Sequence, residues 1–282
     1  MSWVLDVIAI LSPIIGAFIY GFERILKARM QNRQGPPLLQ PFYDFIKLIG
    51  KRPIQVHSFH SIMGLAFFFA TWFTLAAFLC GPNILVGVYL HILALAFLII
   101  GGFSVLSPYS VMGSLREIIH LMSVEPILIL VAVGLFLVTG SWNVKDIYSY
   151  PGLPILYLPL VFIAFVLTIP SILKKSPFDI SEAHQEIIGG PEIEYSGFFY
   201  EAIYTAKWIE YVFVFAIIFL FTGSYWWLGL ALSLIVLLFI NALDNSTCRS
   251  TFHQMIKFSW FVLLPLAALN ILEHYNYYKA NH

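Results

Sequence analysis

Apolar residues run along the chain in eight stretches, each close to the roughly 20 residues that a helix needs to cross the hydrocarbon core of a bilayer. Turn-forming residues separate several of them, as in Gly81-Pro82-Asn83 and Thr222-Gly223-Ser224. The pattern predicts an all-α polytopic membrane protein with a single transmembrane domain over residues 1–282. The predicted spans are residues 3–22, 61–80, 84–107, 115–140, 152–173, 198–222, 225–243 and 253–272.

A shorter apolar pattern lies between the first two predicted spans, at residues 38–50. About 13 residues rise only ~20 Å as a helix, which is too short to cross a membrane. We therefore predict an amphipathic helix in the cytoplasmic interface, either as a lipid-surface anchor or as a docking surface. Its apolar face consists of Leu38, Leu39, Phe42, Phe45, Ile46 and Ile49, and the opposite face of Gln40, Asp44, Lys47 and Lys51.

Composition supports a membrane protein, since 60% of the 282 residues are hydrophobic and only 11% are charged. An ordinary globular domain is about one quarter charged. Basic and acidic residues number 15 each, so the zero net charge gives no sign of nucleic-acid binding. Cys80 and Cys248 stand alone, without the spacing of a metal site, so we expect no iron–sulfur cluster or structural zinc on this chain.

Basic residues concentrate in alternate connections between the predicted spans. The remaining connections contain only Lys145. Because basic loops stay in the cytoplasm, both termini are predicted outside and the long loops inside. The basic residues of the predicted cytoplasmic side are Arg24, Lys27, Arg29, Arg33, Lys47, Lys51, Arg52, Arg116, Lys174, Lys175, Arg249 and Lys257.

The fourth predicted span carries ionisable residues, each of which costs roughly 2.5–3.5 kcal/mol at bilayer depth. Arg116 and Glu117 lie near its start, where snorkelling to the interface or plain ion pairs explain them as well as a functional role does. Glu125 lies about two turns further in and has no cation near it in sequence. The next residue, Pro126, frees a backbone carbonyl inside the span. Glu125 is therefore the stronger functional candidate.

The sixth predicted span contains Lys207 and Glu210, whose spacing of three residues predicts an ion pair on one helix face. We count Glu210 as a functional candidate because of its depth. Other polar residues in or near the spans are interpreted as satisfied local groups. These are Asp6, His91, His120 and Asp244.

The loop at residues 174–197 is the third concentration of charge. Asp179 and Glu182 have the spacing of a capping box, which predicts a short helix over residues 180–188 closed by Gly189-Gly190-Pro191. On that helix Glu182 and Glu186 would share a face and raise each other's pKa. A solvated acidic loop is the alternative. Glu192 and Glu194 follow before the sixth span.

Three segments together resemble one known family, over essentially the whole chain. They read RMQNRQGPPLLQPFYDFIKL, SLREIIHLMSVE and SPFDISEAHQEIIGGPEIEYSG. The family is the membrane subunit at the junction of respiratory complex I and its relatives, the energy-converting NiFe hydrogenases. The resemblance implies eight spans and a subunit that anchors the hydrophilic arm and passes the effect of electron transfer to ion-translocating membrane subunits.

The resemblance also implies roles for particular residues. A docking surface for the arm would include Arg29, Arg33, Gly35, Pro36, Gln40, Pro41, Asp44 and Lys47. A proton or coupling path would include Arg116, Glu125, Asp179, Glu182, Glu186 and Glu194, to which burial adds Glu117 and Glu210.

Two features favour the hydrogenase branch: the compact GPPLLQP turn and His184, which stands where complex I relatives usually carry an acid. That branch implies hydrogen evolution with electrons from ferredoxin or a similar donor, coupled to H⁺ or Na⁺ translocation across a prokaryotic plasma or inner membrane. No catalytic residue or cofactor is expected on this chain. The NiFe centre and iron–sulfur clusters would belong to the large and small hydrogenase subunits, and antiporter-like membrane subunits would be further partners.

Three alternatives remain. A quinone-binding membrane subunit of a complex I-like oxidoreductase belongs to the same family. A stand-alone secondary transporter would need inverted repeats with broken helices, and no internal repetition is visible. A purely structural anchor would explain the interfacial helix and leave Glu125 without a reason.

Overall fold

The structure is a computed structural model that describes residues 2–81 and 83–281, and within that part of the chain all regular elements are helical. The α-helices are α1 Ser2–Met30, α2 Gln40–Ile49, α3 Ser58–Cys80, α4 Ile84–Phe103, α5 Pro108–Thr139, α6 Val144–Tyr148, α7 Pro154–Tyr157, α8 Pro159–Ile172, α9 His184–Ile187, α10 Gly197–Leu220, α11 Trp226–Ser246, α12 Phe252–Phe258 and α13 Leu264–Asn281. A 3₁₀ turn covers Gly190–Glu192, and a π turn, Ser259–Leu263, joins α12 to α13.

The predicted polytopic architecture is confirmed. In the described residues, seven helices are long and apolar enough to cross a membrane, and Pro159–Ile172 is a shorter apolar helix in the position of the fifth predicted span. The prediction of one continuous helix over residues 152–173 is wrong. Leu158 separates α7 from α8, because Pro159 has no N–H with which to continue the preceding helix.

Two other helices are longer than the sequence pattern predicts. The 29 residues of α1 rise about 43 Å, well beyond a hydrocarbon core of about 30 Å. Consequently Arg24, Lys27 and Arg29 lie on the helix rather than in a connection. Helix α5 begins at Pro108 instead of residue 115, since proline fits the first helical position.

The connections that carry most of the basic residues meet at one end of the bundle, which we call the loop end. The first and third are joined by a hydrogen bond from His57 Nε2 to the Ser104 carbonyl (2.8 Å). The fifth and seventh are joined by the Ser250 amide, which donates to the Pro177 carbonyl (2.8 Å). The charge asymmetry along the chain thus corresponds to a real asymmetry between the ends.

The opposite end is held by backbone contacts between the remaining connections. The Ile84 amide donates to the Trp142 carbonyl (2.9 Å), and the Ser224 amide donates to the Tyr150 carbonyl (3.2 Å). The two cysteines are free: Cys80 ends α3 at this end, whereas Cys248 is exposed at the loop end. They are therefore too far apart to form a disulfide within one chain.

The predicted amphipathic helix forms as α2, within the predicted bounds. Phe42 packs edge-on against Phe18 of α1 (5.3 Å between ring centroids) and against Trp208 of α10 (6.3 Å). Phe45 also packs against Trp208 (6.4 Å), whereas Tyr43, Ile46 and Ile49 face outward, with Ile46 67% exposed. Helix α2 is thus fixed to the bundle on one side and offers an apolar surface on the other.

The loop at residues 174–197 is sunk between the spans. The predicted helix over residues 180–188 is wrong in extent, because only His184–Ile187 is helical and residues 180–183 are not. Its predicted glycine ending is confirmed, with φ of +103° at Gly189 and +59° at Gly190. A Cβ atom on Gly113 of α5 would collide with Gly190, so this glycine pair lets the loop approach α5 closely.

Candidate functional site

The exposed part of the acidic loop forms what we call the rim cluster, of Arg116, Asp179, Glu186 and Arg249. Arg249 donates two hydrogen bonds to Asp179, at 2.8 and 2.7 Å. Glu186 lies between Arg116 (2.7 Å) and Arg249 (3.3 Å), and the Arg116 hydrogen bond lowers the pKa of the Glu186 carboxyl. Arg116 therefore reaches the loop rather than pairing within its own helix.

A second group, the inner cluster, is buried beneath the rim and consists of Glu117, Lys174, Glu182, Glu192 and Lys207. Glu182 contacts Lys174 (2.8 Å) and Lys207 (2.7 Å), and Lys207 also contacts Glu192 (2.8 Å). The predicted pairing of Lys207 with Glu210 is wrong, because the sunken loop brings two other carboxylates to the lysine.

The pKa values of the two carboxylates that share Lys207 are shifted in opposite directions. Burial opposes ionisation of Glu182, but Lys174 and Lys207 hold its pKa below the ordinary value. Burial and the nearby Glu182 carboxylate raise the pKa of Glu192 to about 7, although Lys207 opposes the shift. Crowding of carboxylates does occur as predicted, but it acts on Glu192. Glu182 and Glu186 point to different partners and do not share a helix face.

Lys174 extends the inner cluster into the bundle. Its Nζ atom lies 3.2 Å from Glu117, whose side chain is fully buried. Beyond this pair is a cavity of about 10 Å³, enough for one water molecule. Its polar lining consists of His91, Glu117, His120, Lys174 and Glu210. The cavity therefore connects the inner cluster to groups on α4 and α10.

The far end of this charged region is a pair between His91 and Glu125. Nδ1 of His91 lies 2.8 Å from Oε1 of Glu125, and the imidazole stacks on Phe213 (5.2 Å). Both residues are buried near the midpoints of α4 and α5. His91 is a satisfied group as predicted, but its partner lies on the neighbouring helix rather than nearby in the sequence. The only signal in the sequence was that two consecutive spans carry a polar residue at similar depth.

The predicted docking residues divide into exposed and internal ones. Arg29, Arg33 and Lys47 are exposed at the loop end. Asp44 accepts from Arg24 (2.9 Å) and from Gln40 (2.8 Å), and so fixes α2 to α1. The remaining candidate, Glu194, is half-buried and makes no ion pair within the described residues. The partly or fully buried docking candidates are Gly35, Pro36, Gln40, Pro41 and Asp44.

An open cavity of about 330 Å³ lies between α2, the acidic loop and the start of α10. It is not part of the charged region, although Glu192 borders both. Its polar and aromatic lining includes Lys51, His184, Glu192, Tyr195 and Tyr200.

Comparison with known proteins decides the family. The model of the family described as NADH dehydrogenase matches residues 4–274. The chain belongs to this family.

Members of the NADH dehydrogenase family are similar to the chain over nearly its full length. An NADH-quinone oxidoreductase subunit from Thermomicrobium roseum is 32% identical, with 90% of this chain and 89% of the relative covered. NADH-quinone oxidoreductase subunit 8 of Thermus thermophilus is 31% identical, with 90% and 80% covered. The resemblance seen in the sequence is thus confirmed: the chain is a multi-pass membrane subunit of the complex I type.

A solved structure shares the fold. A chain of the membrane-bound sulfane sulfur reductase, an archaeal respiratory membrane complex, superposes with a TM-score of 0.84 at 22% identity. The match covers 97% of this chain and 99% of that one, so the two architectures agree from end to end. As a member of this family, the chain works beside partner subunits of an oxidoreductase complex.

Proposed function

We propose that the chain is the membrane anchor and coupling subunit of an energy-converting NiFe hydrogenase complex. Electron transfer from ferredoxin or a similar donor to protons would evolve hydrogen and drive H⁺ or Na⁺ translocation. The observation that carries this proposal is the succession of charged groups from exposed Glu186 at the rim, through the inner cluster, to the His91–Glu125 pair in the middle of the bundle.

The charge balance of that region supports a coupling role. Its buried carboxylates, Glu117, Glu125, Glu182, Glu192 and Glu210, outnumber the two lysines that face them. Charges buried at low dielectric interact strongly, so a proton gained or lost at one site changes the proton affinity of its neighbours. A change of charge in a docked arm can thus pass from the rim cluster through Glu182 and Lys174 toward Glu125.

The loop end supports the proposed partners. The exposed basic residues Arg29, Arg33 and Lys47 form a surface suited to the acidic faces of large and small hydrogenase subunits, which would hold the NiFe centre and iron–sulfur clusters. Antiporter-like subunits would lie beside the bundle in the bilayer. This chain would contribute charges and no redox cofactor.

The direct test is isolation of the intact complex through an affinity tag on this chain. We expect a NiFe large subunit to co-purify and inverted vesicles to evolve hydrogen from reduced ferredoxin with ion uptake. A complex without a NiFe subunit that reduces quinone instead would contradict the proposal.

The second candidate function is quinone binding, as in the named NADH-quinone oxidoreductases. The 330 Å³ cavity beside α2 favours it, because Tyr195 and Tyr200 offer aromatic surface and Lys51 and His184 offer polar contacts to a ring. Quinone retained in the purified complex, or inhibition by a quinone-site inhibitor, would favour this function. Quinone-free complex with full, inhibitor-resistant hydrogen evolution would exclude it.

We further propose that the loop end faces the cytoplasm, so that both termini lie outside. Cys248 is free and exposed at that end. A membrane-impermeant maleimide should label it in inverted vesicles and leave it unlabelled in right-side-out vesicles. The variant Cys248→Ser is the control, because any label that remains in it must be on Cys80 at the other end. Labelling of Cys248 from outside would reverse the topology.

A further inference from the structure

Pro126 interrupts the hydrogen bonding of α5 directly beside Glu125. Proline has no N–H, so the Met122 carbonyl, four residues earlier, receives no donor from its own helix. Within a bilayer a freed carbonyl must find another donor in the protein. The donor that replaces the missing one therefore controls the geometry of α5 at this point.

The last span supplies a replacement donor for the Met122 carbonyl and a further donor for the carbonyl beside it, from two consecutive residues. Nε1 of Trp260 donates to the Met122 carbonyl at 3.2 Å. The hydroxyl of buried Ser259 donates to the adjacent Ser123 carbonyl. Both donors begin the π turn Ser259–Leu263, where the last span departs from regular α-helical geometry. Single π turns within helices occur frequently at functional sites.

The last span also forms hydrogen bonds with the backbone at the break in the fifth span, between α7 and α8. Oδ1 of Asn270 accepts from the amides of Leu160 (3.0 Å) and Val161 (3.3 Å), and its Nδ2 donates to the Tyr157 carbonyl (3.2 Å). Thus the last span bonds to backbone groups at two places where proline interrupts a neighbouring helix, beside Pro126 and beside Pro159. Because the last span bonds at two such places, these contacts are a recurring feature of its packing rather than a single isolated contact.

We propose that Ser259 and Trp260 are positioning residues for Glu125. By holding the Met122 and Ser123 carbonyls they fix the backbone of α5 beside Pro126, and this backbone carries the Glu125 carboxylate that lies 2.8 Å from His91. The positioning itself stands on these contacts, and only its consequence for coupling rests on the proposed function.

The test uses the intact complex with Ser259→Ala and Trp260→Phe, alone and combined, each also placed in a Pro126→Ala background. Hydrogen–deuterium exchange of peptides covering residues 119–130 reports the backbone. Loss of each hydrogen bond should speed amide exchange about fivefold, which is the change in the opening equilibrium that the net free energy of one ordinary hydrogen bond gives. Alanine at position 126 restores the N–H that bonds the Met122 carbonyl, so Trp260→Phe should then have no effect, whereas Ser259→Ala should still act on the Ser123 carbonyl.

A second readout follows the carboxylate itself. The infrared band that disappears in Glu125→Gln should shift in Trp260→Phe and return when Pro126→Ala is added. A purely structural role elsewhere in the last span would not give this rescue. Matched controls are Ser233→Ala, whose hydroxyl bonds to its own helix at Gly229, and Trp227→Phe at an exposed indole.

The outcomes separate positioning from coupling. Unchanged exchange, or a Trp260→Phe change that persists in the Pro126→Ala background, would overturn the positioning role. If exchange and the infrared band respond as expected while Glu125→Gln couples normally, the positioning role stands and the proposed function fails at Glu125.

Discussion

The rim cluster and the inner cluster use the same kinds of side chain under different conditions. In the rim, two carboxylates face two arginines, and Glu186 is 48% exposed. In the inner cluster three carboxylates face two lysines, and Glu117 is fully buried. The rim charges balance and are partly solvated by water. The inner cluster has one more carboxylate than lysines and little contact with water, so protonation of one carboxylate is favoured there. We therefore expect the rim to keep its charges and the interior to gain or lose a proton.

The largest expected effect is loss of Lys207 from the inner cluster. Lys207→Met leaves Glu182 and Glu192 with only Lys174 nearby, and breaking a buried pair costs about 3–5 kcal/mol. We expect the thermal midpoint of this chain in the purified complex to fall by roughly 10 °C. Lys257→Met, at an exposed lysine of the loop end, is the control. Equal midpoints for the two variants would contradict the difference between the clusters.

The next effect is a pH dependence from Glu192. The pKa of its carboxyl is raised from 4.5 to about 7, so the folded protein holds a proton that the unfolded chain releases in this range. The resulting stabilisation is complete below pH 4.5 and is lost as pH rises through about 7.

Thermal unfolding between pH 5 and 8 measures this. The difference in stability between the wild type and Glu192→Gln should shrink or change sign as the pH rises. Glu182 gives the opposite comparison, because its lowered pKa confines its loss of stabilisation to pH below 4.5. A wild-type pH dependence that survives unchanged in Glu192→Gln would show that Glu192 does not hold the proton.

The smallest effect belongs to the rim. Glu186→Gln removes half-exposed ion pairs, which are worth about 0–1 kcal/mol and are screened by salt. Asp179→Asn provides the comparison for the two-bond pair with Arg249. Thermal midpoints measured at low and high salt should differ little from wild type. A fall in thermal midpoint as large as that of Lys207→Met would contradict the difference between the rim and the inner cluster.

The spans and α2 were predictable because apolar length and helical spacing are local properties of the chain. The end of α1 at Met30 was not, because charged residues can continue a helix once it has left the hydrocarbon. The break at Leu158 had a local signal in Pro159, but the adjacent apolar residues conceal it in a count of hydrophobic length.

The pairings of the site were not predictable from spacing. Glu125 and His91 are 34 residues apart and meet only because α4 and α5 pack together. Lys207 binds loop residues 15 and 25 positions earlier because the Gly113–Gly190 contact lets the loop sink into the bundle. The charges themselves were visible in the sequence, but their partners depended on the packing of helices and loop.

The central claim is tested most directly by the number of ions moved per hydrogen evolved in vesicles containing the complex with Glu125→Gln. We predict that hydrogen evolution continues while this ratio falls by about tenfold. A tenfold fall corresponds to an increase of about 1.4 kcal/mol in the activation barrier of ion transfer. Glu186→Gln, at the exposed end of the same charged region, should lower the ratio less. An unchanged ratio in Glu125→Gln would contradict a coupling path that ends at the His91–Glu125 pair.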